Sequence, residues 1–155
     1  MSVRKKILLG LLVVFFLIQF IRPEKNVSAA PAPNDLFTNY KAPDSVERLI
    51  KTACYDCHSN NTVYPWYAEV QPVAWWLNDH VQEGKNELNF NEFATYAPKK
   101  GDHKMEEVIE MLDKHEMPLQ SYSFIHSKAR LTDAQRGAIT SWARGIRKEM
   151  QPDIK

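Results

Sequence analysis

Ala53-Cys54-Tyr55-Asp56-Cys57-His58-Ser59 is the stretch on which the reading of this chain turns. Cys54 and Cys57 are the only cysteines in its 155 residues, so no disulfide framework supplies stability and both thiols belong to one local chemistry. Cys-x-x-Cys-His is the spacing of c-type haem attachment. Two intervening residues let both thiols reach the porphyrin vinyl groups, and the next residue sets an imidazole under the iron. Other chemistries use parts of the pattern. A thioredoxin-like dithiol wants a strand before it, whereas the residues preceding Cys54 read as helix. A zinc site would need a further ligand from the remaining histidines. A disulfide across two residues would leave His58 without a part. One covalent haem on Cys54 and Cys57 with His58 as axial ligand is the expectation; zinc and dithiol are the alternatives.

Outward from the motif, helical periodicity dominates and no strand pattern is found. Asp44 and Glu47 mark a helix start, and Val46, Leu49, Ile50 and Ala53 form a stripe that runs into Cys54. A second helix is predicted from Pro72 to Glu83, stopping at Gly84, with Val73, Trp76, Leu77 and His80 on one face. A short third covers Asn91–Tyr96. The fourth follows Gly101-Asp102, carries Met105, Val108, Ile109 and Leu112, and is barred by Pro118. The fifth opens on the capping box Thr132-Asp133-Ala134-Gln135 and presents Ala138, Ile139, Trp142, Ala143 and Ile146. The fold class is all-α: a small helical domain wrapped around a cofactor.

The amino terminus has a different character. Met1–Lys6 is basic, and Ile7–Ile21 is apolar except for Gln19, the pattern of an export signal or signal anchor. Fifteen residues at about 1.5 Å each give roughly 22 Å against a bilayer core of roughly 30 Å, so Arg22 and Lys25 would have to snorkel. Val27-Ser28-Ala29 offers a cleavage alternative, but Arg22-Pro23-Glu24-Lys25 makes a charged approach to it. An anchor over residues 1–25 is expected, then a Pro/Ala-containing linker over 26–42, a haem-binding domain over 43–148 and a tail over 149–155. Both the anchored and the cleaved form place the domain on the periplasmic, extracytoplasmic side. The 20 Lys+Arg and 19 Asp+Glu are unevenly spread: the first 30 residues are basic and the remainder is mildly acidic. Such a domain offers no basic face to nucleic acid.

The sixth iron ligand decides what a haem here can do. Met117 follows a helix and precedes Pro118, a stiff segment from which a thioether can be aimed at a metal; Met opposite His suits an electron-transfer haem. Met105 lies on an apolar stripe, where core filling is its role, and Met111 lies off that stripe and offers no site argument. His80 shares a helix face with Trp76 and is the rival ligand. His103 and His115 are expected at solvent-facing helix ends, and nothing decides the role of His126. Tyr55, Tyr64, Trp66, Tyr67, Trp75 and Trp76 crowd around the motif and could wall a porphyrin, while Lys128 or Arg130 could serve its propionates.

These residues resemble the small bacterial haem-binding domain family. The likeness is carried by Ala53-Cys54-Tyr55-Asp56-Cys57-His58-Ser59-Asn60-Asn61-Thr62-Val63-Tyr64-Pro65-Trp66-Tyr67, by Trp75-Trp76-Leu77-Asn78-Asp79-His80-Val81-Gln82-Glu83-Gly84, by Leu88-Asn89-Phe90 and by Met117-Pro118-Leu119-Gln120-Ser121-Tyr122. Gln19-Phe20-Ile21-Arg22-Pro23 is similar to the membrane-proximal start of such proteins, and the ordered blocks span roughly residues 43–146. The resemblance implies haem c on Cys54 and Cys57 and an axial His58, with His80 characteristic of the family and kept for the iron or its surroundings; Trp66 and Trp76 of the aromatic cluster are expected beside the cofactor. Class I cytochromes c are a looser likeness: a helix into the attachment site, a Met-Pro late in the chain, then a final helix. The aromatic block and the His80 helix depart from that order. The function expected is a membrane-anchored c-type electron carrier that meets redox partner proteins at the membrane. The alternatives are a haem sensor or peroxidase-like enzyme with an exchangeable sixth site, and a zinc-binding structural module.

Overall fold

The computed structural model describes residues 1–154. Its helices follow the apolar stripes. α1 is Val3–Ile18, α2 Leu36–Asn39, α3 Asp44–Ala53, α4 Tyr55–His58, α5 Val73–Glu87, α6 Pro98–Asp113, α7 Gln120–Ile125 and α8 Asp133–Met150. Short 3-10 turns cover Trp66–Glu69, Phe90–Thr95, Ser127–Ala129 and Gln151–Asp153. Among the described residues the only β pairing is an isolated bridge between Val27 and Asn61. The molecule is all-α, as expected.

Helix ends depart from expectation for local reasons. Asp44 lies inside the first turn of α3 instead of capping it, where its charge complements the helix dipole. α5 runs past Gly84 to Glu87, because Gly84 is needed where that helix touches another segment. α6 begins at Pro98, whose missing N–H costs nothing at a first helical position, and ends at Asp113, well before Pro118. Just beyond, His115 takes a left-handed φ of 59° that turns the chain back. The Asn91–Tyr96 stretch winds as a 3-10 turn. The Thr132/Gln135 capping box is formed in both directions, and α8 continues beyond Ile146 to Met150.

α6 lies along α8, and α3 packs across α8. Their facing stripes supply Val46, Ile50, Met105, Leu112, Ile139, Ala143 and Ile146, and the turn after α5 adds Leu88, Phe90 and Phe93. Met150, placed in a tail by the sequence, is only 5 % exposed and meets Gly101 in this core; Lys155, the end of that expected tail, lies outside the described residues.

Two other boundaries are redrawn. Residues 26–42 do not hang free as a linker. Leu36 is wholly buried, Asn26 is 8 % exposed, and the Asp35 carboxylate accepts from the Tyr55 hydroxyl at 3.0 Å and from Asn91 at 2.6 Å. Sequence composition emphasised the prolines and missed this anchoring because single residues carry it. α1 stands apart, with none of its residues buried. Among the described residues no helix is long and apolar enough to cross a membrane; the 16 residues of α1 reach about 24 Å at about 1.5 Å per residue.

Candidate functional site

α3 breaks at Cys54, which leaves helical geometry with φ −124°, and α4 carries Tyr55–His58 away at an angle. The turn is held on several sides. Asp56 Oδ2 accepts from the Tyr122 hydroxyl at 2.6 Å and Oδ1 accepts from the Val63 amide at 3.0 Å. The Thr62 hydroxyl donates to the Asp56 carbonyl. α5 crosses the turn at Gly84, where a Cβ would stand 2.8 Å from the Cys57 carbonyl oxygen and 3.1 Å from its Cβ. The family-like run around Gly84 thus marks a close approach of helix to motif. Gly84→Ala should therefore lower the midpoint of thermal unfolding. Overpacking against backbone costs toward the top of about 1–3 kcal/mol, more than the roughly 1 kcal/mol that Ala gains over Gly in a helix. An unchanged or raised midpoint would show that α5 can slide off the motif at no cost.

His58 is oriented from behind. Its Nδ1–H donates to the Leu88 carbonyl at 3.0 Å, which fixes the tautomer and leaves Nε2 with its lone pair free. Burial pushes the His58 pKa down, opposed in part by hydrogen bonding to the Leu88 and Gly84 backbone; the neutral, metal-ligating form is favoured. A carbonyl behind a ligating imidazole is the usual outer support of such a ligand.

His58 and Cys54 open into a cavity of about 320 Å³ walled by Ile50, Leu88, Phe90, Met105, Val108, Met111, Leu112, Met117, Ile139 and Trp142. That volume falls in the range of about 300–1,000 Å³ typical of small-molecule and cofactor pockets. Met117 lies in the wall of this cavity, and Arg136 of α8 donates to its backbone carbonyl. Met111 lines the same cavity, a correction to its exclusion from the site: it sits beside the Met105 stripe, and the cavity wraps far enough around α6 to include both. Lys104, also unforeseen, lines the wall; its side chain is 12 % exposed and paired with Glu107 and Glu87.

Cys57 opens on a second cavity of about 390 Å³, with Trp66, Tyr67, Val73, Trp76, Leu77, His80, Leu119 and Tyr122 in its wall. The Cys54–His58 turn and the Met117–Leu119 segment therefore contribute to both cavities. Trp66, Trp76 and His80 are brought together here, beside Cys57 but not beside His58. His80, on one helix face with Trp76 as expected, is only half-buried: its Nδ1 bonds the Trp76 carbonyl at 2.8 Å and its ring lies 4.3 Å from that of Trp76. Trp66 remains 81 % exposed. His126 bonds the Tyr67 hydroxyl at 3.1 Å and stacks on Tyr122. His103 pairs with Glu106 and Glu107, and His115 with Asp133. Arg130 is committed to the carbonyls of Ser123 and Phe124.

The surroundings of the two thiols differ from those of a dithiol redox site. Burial pushes Cys54 up to about 12 and Cys57 up to about 11, helped by the charge of Cys57 on the first and of Asp56 on the second. A reactive Cys-x-x-Cys has at least one thiol pKa lowered. Among the described residues no three His, Cys, Asp or Glu side chains converge as a metal site, so the zinc alternative lacks its ligand set.

An all-helical domain with an apolar cavity at a single supported imidazole is built to take a cofactor, and the lining suits a porphyrin: flat or branched apolar walls, one free imidazole nitrogen and methionine thioethers in the same wall. The family model for the haem-binding domain matches residues 13–145. The chain belongs to the haem-binding domain family and is a haem-binding protein. Neither curated proteins nor solved structures give a significant match.

Proposed function

We propose that this protein is a membrane-anchored monohaem c-type cytochrome that passes electrons outside the cytoplasm. The observation that carries the reading is the His58 ring, pinned through Nδ1 to the Leu88 carbonyl, with Cys54 and Met117 in the wall of the same cavity. Cys54 and Cys57 would hold one haem by thioethers, and His58 and Met117 would hold its iron. Bound there, the haem supplies a one-electron couple at its iron. The chain's own part is to exclude water with the apolar lining, to orient the imidazole, and to keep Met117 in place through Arg136. Two protein ligands leave no position for a substrate, so outer-sphere transfer is the chemistry that remains.

Trp66, Trp76 and His80 flank Cys57 at the open rim of the second cavity, the side from which a redox partner protein would approach. Membrane attachment is assigned to α1. Hydrogen bonds from the Gln19, Phe20 and Ile21 amides extend it by a turn, and Arg4, Lys5 and Lys6 at one end with Arg22 and Lys25 at the other can snorkel in a locally thinned bilayer. The positive end stays inside, which puts the domain outside the cytoplasm.

The test is the visible spectrum, oxidised and reduced, of full-length protein made in cells with a haem-attachment system. A low-spin six-coordinate spectrum with a Met–iron charge-transfer band is expected. A high-spin five-coordinate form would replace the carrier by a sensor or peroxidase-like reading, and colourless protein would remove the haem reading altogether.

A further inference from the structure

We infer that residues 19–28 form a strap that positions the haem-attachment loop, with Asn26 as its positioning residue, and that the mature protein therefore keeps its amino terminus. The inference rests on the haem being held at Cys54, Cys57 and His58 as proposed above.

The strap begins where α1 ends. The Gln71 amide donates to the Gln19 side-chain carbonyl at 2.9 Å, and both Gln71 Nε2 and Trp75 Nε1 donate to the Ile21 carbonyl, at 2.7 and 2.9 Å. Gln71 is 1 % exposed, so its end of the joint is buried even though Ile21 faces solvent. Glu69 then takes both Arg22 and Lys25. Asn26 makes the connection to the motif. Its Nδ2 donates to the Ser59 carbonyl at 2.8 Å, one residue beyond His58, and to Thr62 Oγ1 at 2.9 Å. Its Oδ1 accepts from Lys85 of α5 at 2.6 Å, and its backbone amide donates to the Tyr64 hydroxyl at 2.7 Å. The Thr62 amide returns a bond to the Asn26 carbonyl at 2.9 Å, and the Ser28 amide donates to Asn61 Oδ1 at 2.8 Å.

Every polar group of Asn26 is thus spent on the segment that follows His58 or on the helix crossing it. Thr62 passes the constraint back to the Asp56 carbonyl inside the motif. A buried amide whose partners are removed leaves them unpaired at about 1–3 kcal/mol, and the freed loop carries the axial imidazole. Cleavage after Ala29 would discard the whole strap and expose Ser59, Thr62 and Gln71, which are 1 %, 8 % and 1 % exposed. The family match starting at residue 13 takes in the strap.

The experiment uses full-length holoprotein. Intact mass is expected to show an amino terminus upstream of Asn26, and a mature chain starting at Ala30 overturns the inference. Asn26→Asp keeps the shape and the acceptor for Lys85 but loses the donor to Ser59 and Thr62. Imidazole, competing for the sixth position, should then bind about tenfold tighter, the effect of roughly one buried hydrogen bond, with a weakened Met–iron band. Asn61→Ala removes only the Ser28 contact and should move imidazole affinity in the same direction by less. Glu24→Gln, on the exposed side of the strap, should leave it unchanged. If Asn26→Asp and Asn61→Ala both match wild type, the strap does not position the site. Haem staining of the same denatured samples keeps the two claims apart: stained protein with unaltered imidazole affinity sinks the strap alone, and unstained wild type sinks the haem attachment.

Discussion

Cys54→Ser/Cys57→Ser protein is expected to carry no haem that survives denaturation, and each single serine variant to carry little. The measurement is haem staining after denaturing electrophoresis, with wild type as the reference. The thiols are the only two in the chain, so no other cysteine can take over the link. A consequence for stability follows from the cavity. The cavity of about 320 Å³ beside His58 is lined by core residues of α3, α6 and α8, and without a bound haem that apolar lining lacks packing partners on one side. Whole domains hold only about 5–15 kcal/mol. The doubly substituted protein should accordingly lose much of its cooperative unfolding, read by circular dichroism on heating. Strong haem stain in the double variant would mean that the porphyrin is linked elsewhere.

Met117→Ala should abolish six-coordination while leaving haem attached, and His80→Ala should not. Met117 shares a cavity with His58, whereas His80 lines the other one. The readout is the Met–iron charge-transfer band with the high-spin fraction. Met111 makes the comparison sharper, since it lines the same wall. Met111→Leu keeps the volume and should preserve the band; its loss there, with retention in Met117→Ala, would move the ligand to Met111 on α6. Loss of the band in His80→Ala alone would assign the iron to that histidine.

Much of this architecture was legible in the residues. The stripes of α3, α6 and α8 and the Thr132 cap follow from period and capping chemistry, and they are the elements that build the core. The Cys54–His58 turn was legible because three side chains at fixed spacing have few other uses. What periodicity does not encode is contact between distant segments. Nothing in the Pro/Ala stretch announces that Leu36 fills the core or that Asn26 closes on Ser59, because one buried residue leaves no repeat. Gly84 read as a helix stop since glycine is poor in helices; its reason was the backbone of Cys57, visible only once α5 and the turn are packed. His80 shows the limit of a shared stripe: it lies on one face with Trp76 and Leu77, but only Leu77 is buried there, while Trp76 and His80 line the second cavity.

The central claim meets its most direct test in the mass of the proteolytic peptide containing Cys54-Tyr55-Asp56-Cys57-His58, taken from full-length protein matured in cells that attach haem. A single peptide heavier by one haem is expected, with neither sulfur open to alkylation. A peptide of unmodified mass in which both cysteines alkylate freely would contradict it.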